Sequence, residues 1–179
     1  MKNDHIIDTC CLINILASGK VGEILASTQA FYIGEQASKE SLYLNQYDDE
    51  SMKRIGRMKV DLMPLLANDS LVLCKLETGE EYERYLYFAE RLDDGEAEAL
   101  ALALSRNWTV ATDDKKAVRI AGEHGIKTIS TLQIVMHWVK KNRVGKKELQ
   151  EVMTAIHRLA SFFPSPRLPG YDEWERYNR

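Results

Sequence analysis

The chain has 179 residues, 45% hydrophobic and 28% charged, with a formal net charge of −3 at pH 7. That balance belongs to a soluble globular domain able to bury a substantial core and excludes a disordered chain. No run approaches the roughly 18 apolar residues of a membrane span, and the acidic balance disfavours a protein that coats nucleic acid while still allowing an enzyme that touches a few phosphates.

In chain order, "HIIDT" (residues 5–9) reads as a short buried strand running into a helix near residues 12–16, ended by Ser18-Gly19. Asp8 and Asn14 interrupt this apolar start, so it does not read as an export signal. Cys10 and Cys11, adjacent and apolar in context, read as reduced buried thiols, which places the chain in the cytoplasm. "AFYIG" (30–34) is a second apolar run, followed by a polar helix over 36–44. Residues 52–67 carry apolar side chains at helical spacing (Met52, Ile55, Met58, Leu62, Leu65), with a break expected at Pro64. "SLVLCKL" (70–76) is a third strand and residues 79–92 a helix. Residues 95–105 form a helix apolar on nearly every side, which means burial. "WTVAT" (108–112) is a strand, 115–123 a helix closed by His124-Gly125, and "KTIST" (127–131) another strand. Helices over 132–141 and 146–161 follow, and Pro164, Pro166 and Pro169 predict an irregular tail in which Trp174 and Tyr177 pack on the body or on a partner. Strands alternating with helices imply an α/β fold with a central parallel sheet covered on both faces. The expected organisation is a main domain over 1–145, with a helical elaboration about 46–92, then a C-terminal helix and tail over 146–179.

In such sheets ligands collect beyond the carboxyl ends of the strands. Asp8 ends the first strand and Asp113 and Asp114 end "TVAT", while Glu96 begins the buried helix and Glu40 follows "FYIG". Each acid has an ordinary explanation in isolation. Asp93 or Asp94 with Glu96 resembles a helix cap, Asp114 an N-cap, and Glu40 a solvated helix residue. Asp8 is different: a carboxylate between Ile7 and "CCLINIL" must be desolvated, which costs several kcal/mol unless charge or hydrogen bonds compensate. A metal ion would supply that compensation. Glu96 and Glu98 point to nearly opposite sides of their helix, and Glu96 is the one at the open end. Trp108 and Trp138 read as core or half-buried rings, and His124, His137 and His157 show no metal spacing.

Taken together, "IIDTCCLINIL", the glutamate of "SKESL", "DGEAEALALA" and "TVATDDKKAVRIA" resemble the PIN domain of metal-dependent ribonucleases, over roughly residues 5–135. The resemblance implies a three-layer α/β/α fold and a site in which Asp8 is the first acid, Glu40 (or Glu35) the second, Glu96 the third and Asp113 or Asp114 the last. Asp8, Glu96, Asp113 and Asp114 would ligate Mg²⁺ or Mn²⁺, with Thr9 and Thr112 as supporting hydroxyls. Cys10 stands where many relatives carry Ser. These ions prefer oxygen ligands and need no His or Cys cluster. The implied reaction is endonucleolytic hydrolysis of RNA, leaving 5′-phosphate and 3′-hydroxyl ends, by a stand-alone nuclease or by the toxin of a toxin–antitoxin pair. RNA, a second copy of the chain and an antitoxin are the implied partners.

Local charge suits a polyanion better than the total does. Residues 113–147 hold nine Lys/Arg against three acids, so Lys115, Lys116 and Arg119 beside the expected site are candidate phosphate contacts. A catalytically degenerate domain that binds RNA or protein is the alternative. A phosphatase of the haloacid-dehalogenase kind also places an aspartate after its first strand, but it needs a second aspartate where Cys10 stands.

Overall fold

The computed structural model describes residues 4–40, 42–48 and 50–178, with the side chains of Tyr177 and Asn178 outside the described residues. Along the chain run β1 (His5–Ile7), α1 (Thr9–Ala17), α2 (Val21–Leu25), β2 (Phe31–Gly34), α3 (Glu35–Lys39), β3 (Tyr43–Tyr47) and β4 (Arg54–Lys59). Then come α4 (Met63–Ala67), β5 (Val72–Cys74), α5 (Gly79–Ala89), α6 (Asp94–Arg106), β6 (Thr109–Ala111), α7 (Lys115–Glu123), β7 (Lys127–Ile129), α8 (Thr131–Asn142), α9 (Lys146–Ala160) and α10 (Tyr171–Asn178).

Five strands form one parallel sheet in the order β5-β2-β1-β6-β7. Side chains alternate across it, so adjacent residues feed different cores. Ile7 and Ala111 join an apolar cluster with α1, α2, α8 and α9. Ile6 and Val110 face the other cluster, built with α5, α6 and α7. Three layers result, as the alternation of strands and helices predicts. Alanines at 97, 99, 101 and 103, all buried, let α6 lie close against β1, β2 and β6. Leu149, Val152, Met153 and Ile156 of α9 enter the same cluster as α1 and α8, so packing continues past residue 145.

Three sequence expectations need correction. The helix read over 52–67 is instead a hairpin strand and a short helix: β4 pairs antiparallel with β3, and only Met63–Ala67 is helical. The stretch about 46–92 is therefore mixed rather than a helical elaboration. Met52, Ile55 and Met58 are more than half exposed, so no core face demanded a helix, and Gly56 in their midst disfavours one. The helix read over 36–44 ends at Lys39, and Leu42 and Leu44 turn into the core from the hairpin. The tail is irregular over its prolines, as expected, and then forms α10 after Gly170, with Leu168, Tyr171 and Trp174 packed against the main core. The Tyr177 ring, expected with Trp174 to pack on the body or on a partner, lies outside the described residues.

The indoles of Trp138 and Trp108 behave as the apolar pattern suggests. Trp138 is fully buried, and Trp108 is half-buried, stacked on Tyr32 at 4.3 Å with the Arg106 guanidinium 5.1 Å from its ring.

Candidate active site

β1 is the middle strand. The chain builds outward on one side through β2 and β5, then crosses to β6 and β7 on the other, so the strand order reverses between β1 and β6. Open α/β sheets bind ligands just beyond the carboxyl ends of the strands at this position. Ile7 pairs with Ala111, and Asp8 N donates to Ala111 O at 3.0 Å, so Asp8 and Thr112 emerge side by side although 104 residues separate them.

Asp8 is only 4% exposed. Its Oδ1 accepts from Thr9 N at 2.7 Å, and its Oδ2 accepts from the Cys10 thiol at 3.0 Å and the Thr112 hydroxyl at 2.9 Å. Burial pushes the Asp8 carboxyl above the usual carboxylate range, the three donors oppose that rise, and the charge of Asp93 adds to it. Burial first, then the neighbouring Asp8 carboxylate, pushes the Cys10 thiol far above its ordinary value. Cys10 is thus a neutral S–H donor and fills the place of a hydroxyl.

Glu96 lies in the first turn of α6 and is half-buried. Desolvation, followed by the charges of Asp93, Asp114 and Asp8, raises its carboxyl to about 7. Asp93 caps α6, accepting from Glu96 N at 2.9 Å. Its charge also acts on Asp8, Glu40 and Glu96, so it is part of the acid cluster. Its capping position in the sequence conceals this second role.

Glu40 is exposed at the C-cap of α3 rather than within a helix. The Thr9 hydroxyl donates to its Oε2 at 3.0 Å and ties it to the Asp8 corner. Desolvation raises its carboxyl, the Thr9 bond opposes this, and Asp93 and Asp8 add repulsion. Glu35 at the start of α3 instead pairs with Lys39 at 3.1 Å.

The two terminal aspartates diverge. Asp113 accepts from Asn14 Nδ2 at 3.0 Å, from Thr131 N at 3.0 Å and from the Thr131 hydroxyl, so both its oxygens are held between α1 and α8. Its carboxyl is raised by burial against those three donors, with Asp8 adding a smaller push. Asp114 caps α7, its Oδ1 accepting from Lys116 N at 2.7 Å and Ala117 N at 2.8 Å, while its charge reaches Glu96. Thr112 links the two ends of the site: its hydroxyl donates to Asp8 and accepts from Asp114 N at 3.1 Å.

Glu98 sits on the other side of α6, as its spacing from Glu96 requires, and is 1% exposed. It accepts from Gln36 N at 2.7 Å and so holds the start of α3, the helix that delivers Glu40. Gly34 makes this approach possible, since a Cβ there would stand 2.2 Å from Glu98 Oε2. Lys115, Lys116 and Arg119 are exposed on α7, next to Asp114.

A hard divalent ion is tested by this donor set. The cluster offers carboxylate and hydroxyl oxygens, and the acids repel one another without an opposing charge. That chemistry fits. The spacing is wider than one coordination sphere: among the described residues, no group of three or more His, Cys, Asp or Glu side chains is placed to hold an ion.

A three-layer fold around a parallel sheet, with acids at the switch point, defines an α/β protein whose candidate site is acidic. Residues 4–169 match the family model DUF3368, described as a PIN domain, and the chain belongs to that family. Comparisons with curated proteins and with solved structures gave no match. Among the described residues, no helix is long and apolar enough to cross a membrane.

Proposed function

We propose that the chain is a Mg²⁺- or Mn²⁺-dependent endoribonuclease. The observation that carries this is the convergence of Asp8, Asp93, Glu96 and Asp114 at the β1–β6 switch point, expressed in the raised carboxyl of Glu96. PIN domains are generally nucleases, and family membership supports the reading. To hold the ion, Asp8, Glu96 and Asp114 would have to draw closer than they stand in the structure, with Glu40 at the margin. Asp113, gripped by Asn14 and Thr131, would position the β6 end. When bound, a divalent ion acidifies a water and neutralises charge on the phosphate and the leaving oxygen. The chain's own part is to orient and to hold protons. Thr112 and Cys10 fix the Asp8 carboxylate, and Glu98 fixes α3. Lys115, Lys116 and Arg119 meet the RNA backbone.

RNA, a second copy of the chain and, for a toxin held by its partner, an antitoxin protein are the partners that accompany this reading. Tyr82, Leu86 and Tyr87, exposed on α5, offer apolar surface for a protein contact.

Purified protein with Mn²⁺ or Mg²⁺ is expected to cut single-stranded RNA, leaving 5′-phosphate and 3′-hydroxyl ends, and Asp8→Asn to abolish cutting. Undiminished cleavage by Asp8→Asn would sink the assignment. Metal-dependent thermal stabilisation with no cleavage of any RNA would replace it with a binding module. Growth arrest on induction, relieved by a co-expressed neighbouring gene product, tests the toxin setting.

A further inference from the structure

A pocket of about 240 Å³ opens beside Asp113, between α7 and the segment leading into α10. One wall is Lys115, Val118 and Arg119; the other is Arg167, Leu168 and Pro169. The second wall comes from the proline-rich stretch that the sequence alone leaves as an irregular tail. It is fastened in place. Ser130 Oγ donates to Pro169 O at 2.8 Å, Tyr171 N donates to Leu168 O at 3.0 Å, and Lys140 pairs with Glu173 at 2.5 Å. Gly170, at φ +91°, lies so close to Gln133 that a Cβ would stand 3.0 Å from its Cγ. A left-handed residue in that contact must be glycine.

The walls combine two chemistries. Val118, Leu168 and Pro169 are apolar, whereas Lys115, Arg119 and Arg167 are cations that form no ion pair among the described residues. Three unneutralised cations around a partly apolar pocket call for a ligand with an apolar body and a negative charge. The volume lies just below the range of about 300–1,000 Å³ typical of small-molecule sites. That leaves room for one monomer of a polymer. The single acid on the lining, Asp113, already accepts three hydrogen bonds, which blunts its repulsion of an anion.

We propose that this pocket seats one nucleotide of a single-stranded RNA beside the scissile phosphate. The base lies between Val118 and the Leu168–Pro169 wall, and Arg119 and Arg167 hold that nucleotide's phosphate. Lys115, nearest Asp114, faces the scissile group. Single-stranded RNA is favoured because only an unpaired base can be turned into a slot of this kind. The segment 165–170 is thereby a substrate-binding wall, and the inference rests on the nuclease reading.

The test has two arms. In the first, adenosine 5′-monophosphate is titrated into methyl-labelled full-length protein and followed by NMR. Shifts are expected at the methyls of Val118 and Leu168, and weaker binding by tenfold or more in the Arg119→Ala/Arg167→Ala variant. Val118→Glu, at a position 36% exposed, should block binding without harming the fold, which the melting curve checks. In the second arm, Arg119→Ala/Arg167→Ala raises KM for single-stranded RNA about tenfold with kcat within about threefold. Nucleotide binding in a protein that cuts no RNA would keep the pocket and discard the nuclease reading. Cleavage with unchanged KM in the double variant, or shifts confined to other methyls, would overturn the pocket.

Discussion

The Cys10 thiol and the Asp8 carboxylate form one unit: Sγ donates to Oδ2 at 3.0 Å, beside the Thr112 hydroxyl at 2.9 Å on the same oxygen. Serine can keep that donation, and alanine cannot. A hydrogen bond to a charged group is worth about 1.5–3 kcal/mol, or roughly ten- to a hundredfold in an equilibrium. Cys10→Ser is expected to retain RNA cleavage within about threefold and Cys10→Ala to lose about tenfold or more, read from kcat/KM at fixed Mn²⁺. Equal activity in both variants would deny the thiol its role.

Glu96 carries a consequence for pH. Its carboxyl rises from the ordinary 4.5 to about 7 in the folded chain, chiefly by desolvation and then by Asp93, Asp114 and Asp8. Between those two values the folded state binds more protons than the unfolded one, so the metal-free protein loses stability as pH rises through the window. Melting temperatures measured in chelator from pH 4.5 to 7.5 should show a fall that Glu96→Gln reduces. Mn²⁺ should offset the fall near pH 7. A flat Glu96 contribution across that range would mean that Glu96 is neither desolvated in the fold nor repelled by its acidic neighbours.

Asp114 serves α7 and the acid cluster at once, and the two roles can be separated. Asp114→Ala removes the N-cap and should cost about 1 kcal/mol of stability as well as activity. Asp114→Ser keeps a capping oxygen but not the charge. Its melting temperature should stay near wild type while cleavage falls more than tenfold. If Asp114→Ser cuts RNA normally, Asp113 is the acid that matters.

Two glycines support neighbouring acids with opposite tolerance. A Cβ on Gly34 would meet Glu98 Oε2 at 2.2 Å and Cδ at 2.8 Å, and Glu98 is too enclosed to give way. Gly34→Ala should therefore cost about 1–3 kcal/mol through overpacking, seen in urea unfolding. A Cβ on Gly95 would clash with the carboxylate end of exposed Glu40, at 2.6 Å, and make ordinary contact with Ala37 at 3.5 Å. There the helix gains about 0.5–1 kcal/mol from losing glycine while Glu40 is displaced. Gly95→Ala should unfold no earlier than wild type and cleave RNA several-fold more slowly. Wild-type kinetics in Gly95→Ala would show Glu40 to be dispensable.

Much of this molecule is legible in one dimension because local periodicity encodes burial. The alternation of Ile6 with Ile7 and Val110 with Ala111, the all-round apolar α6 and the acids at strand ends together declare a covered parallel sheet with a polar edge. What the chain alone leaves open are choices settled by contacts between distant segments. Met52, Ile55 and Met58 follow a helical period, yet Ile55 and Met58 lie on an exposed hairpin strand and Met52 in the turn before it, because pairing with β3 outweighs a spacing that buries nothing. Asp113 and Asp114 are neighbours of the same chemical type. Only the arrival of Asn14 and Thr131 beside one, and Glu96 near the other, makes them different. The prolines near residue 166 read locally as an irregular tail that packs on the body or on a partner, and partial burial of Leu168, Tyr171 and Trp174 against the main core offsets the entropy of ordering it there. Residue types and their spacing set which groups can bury or carry charge. The packing of segments a hundred residues apart sets the environment of each carboxylate, because desolvation and Coulomb repulsion act through space.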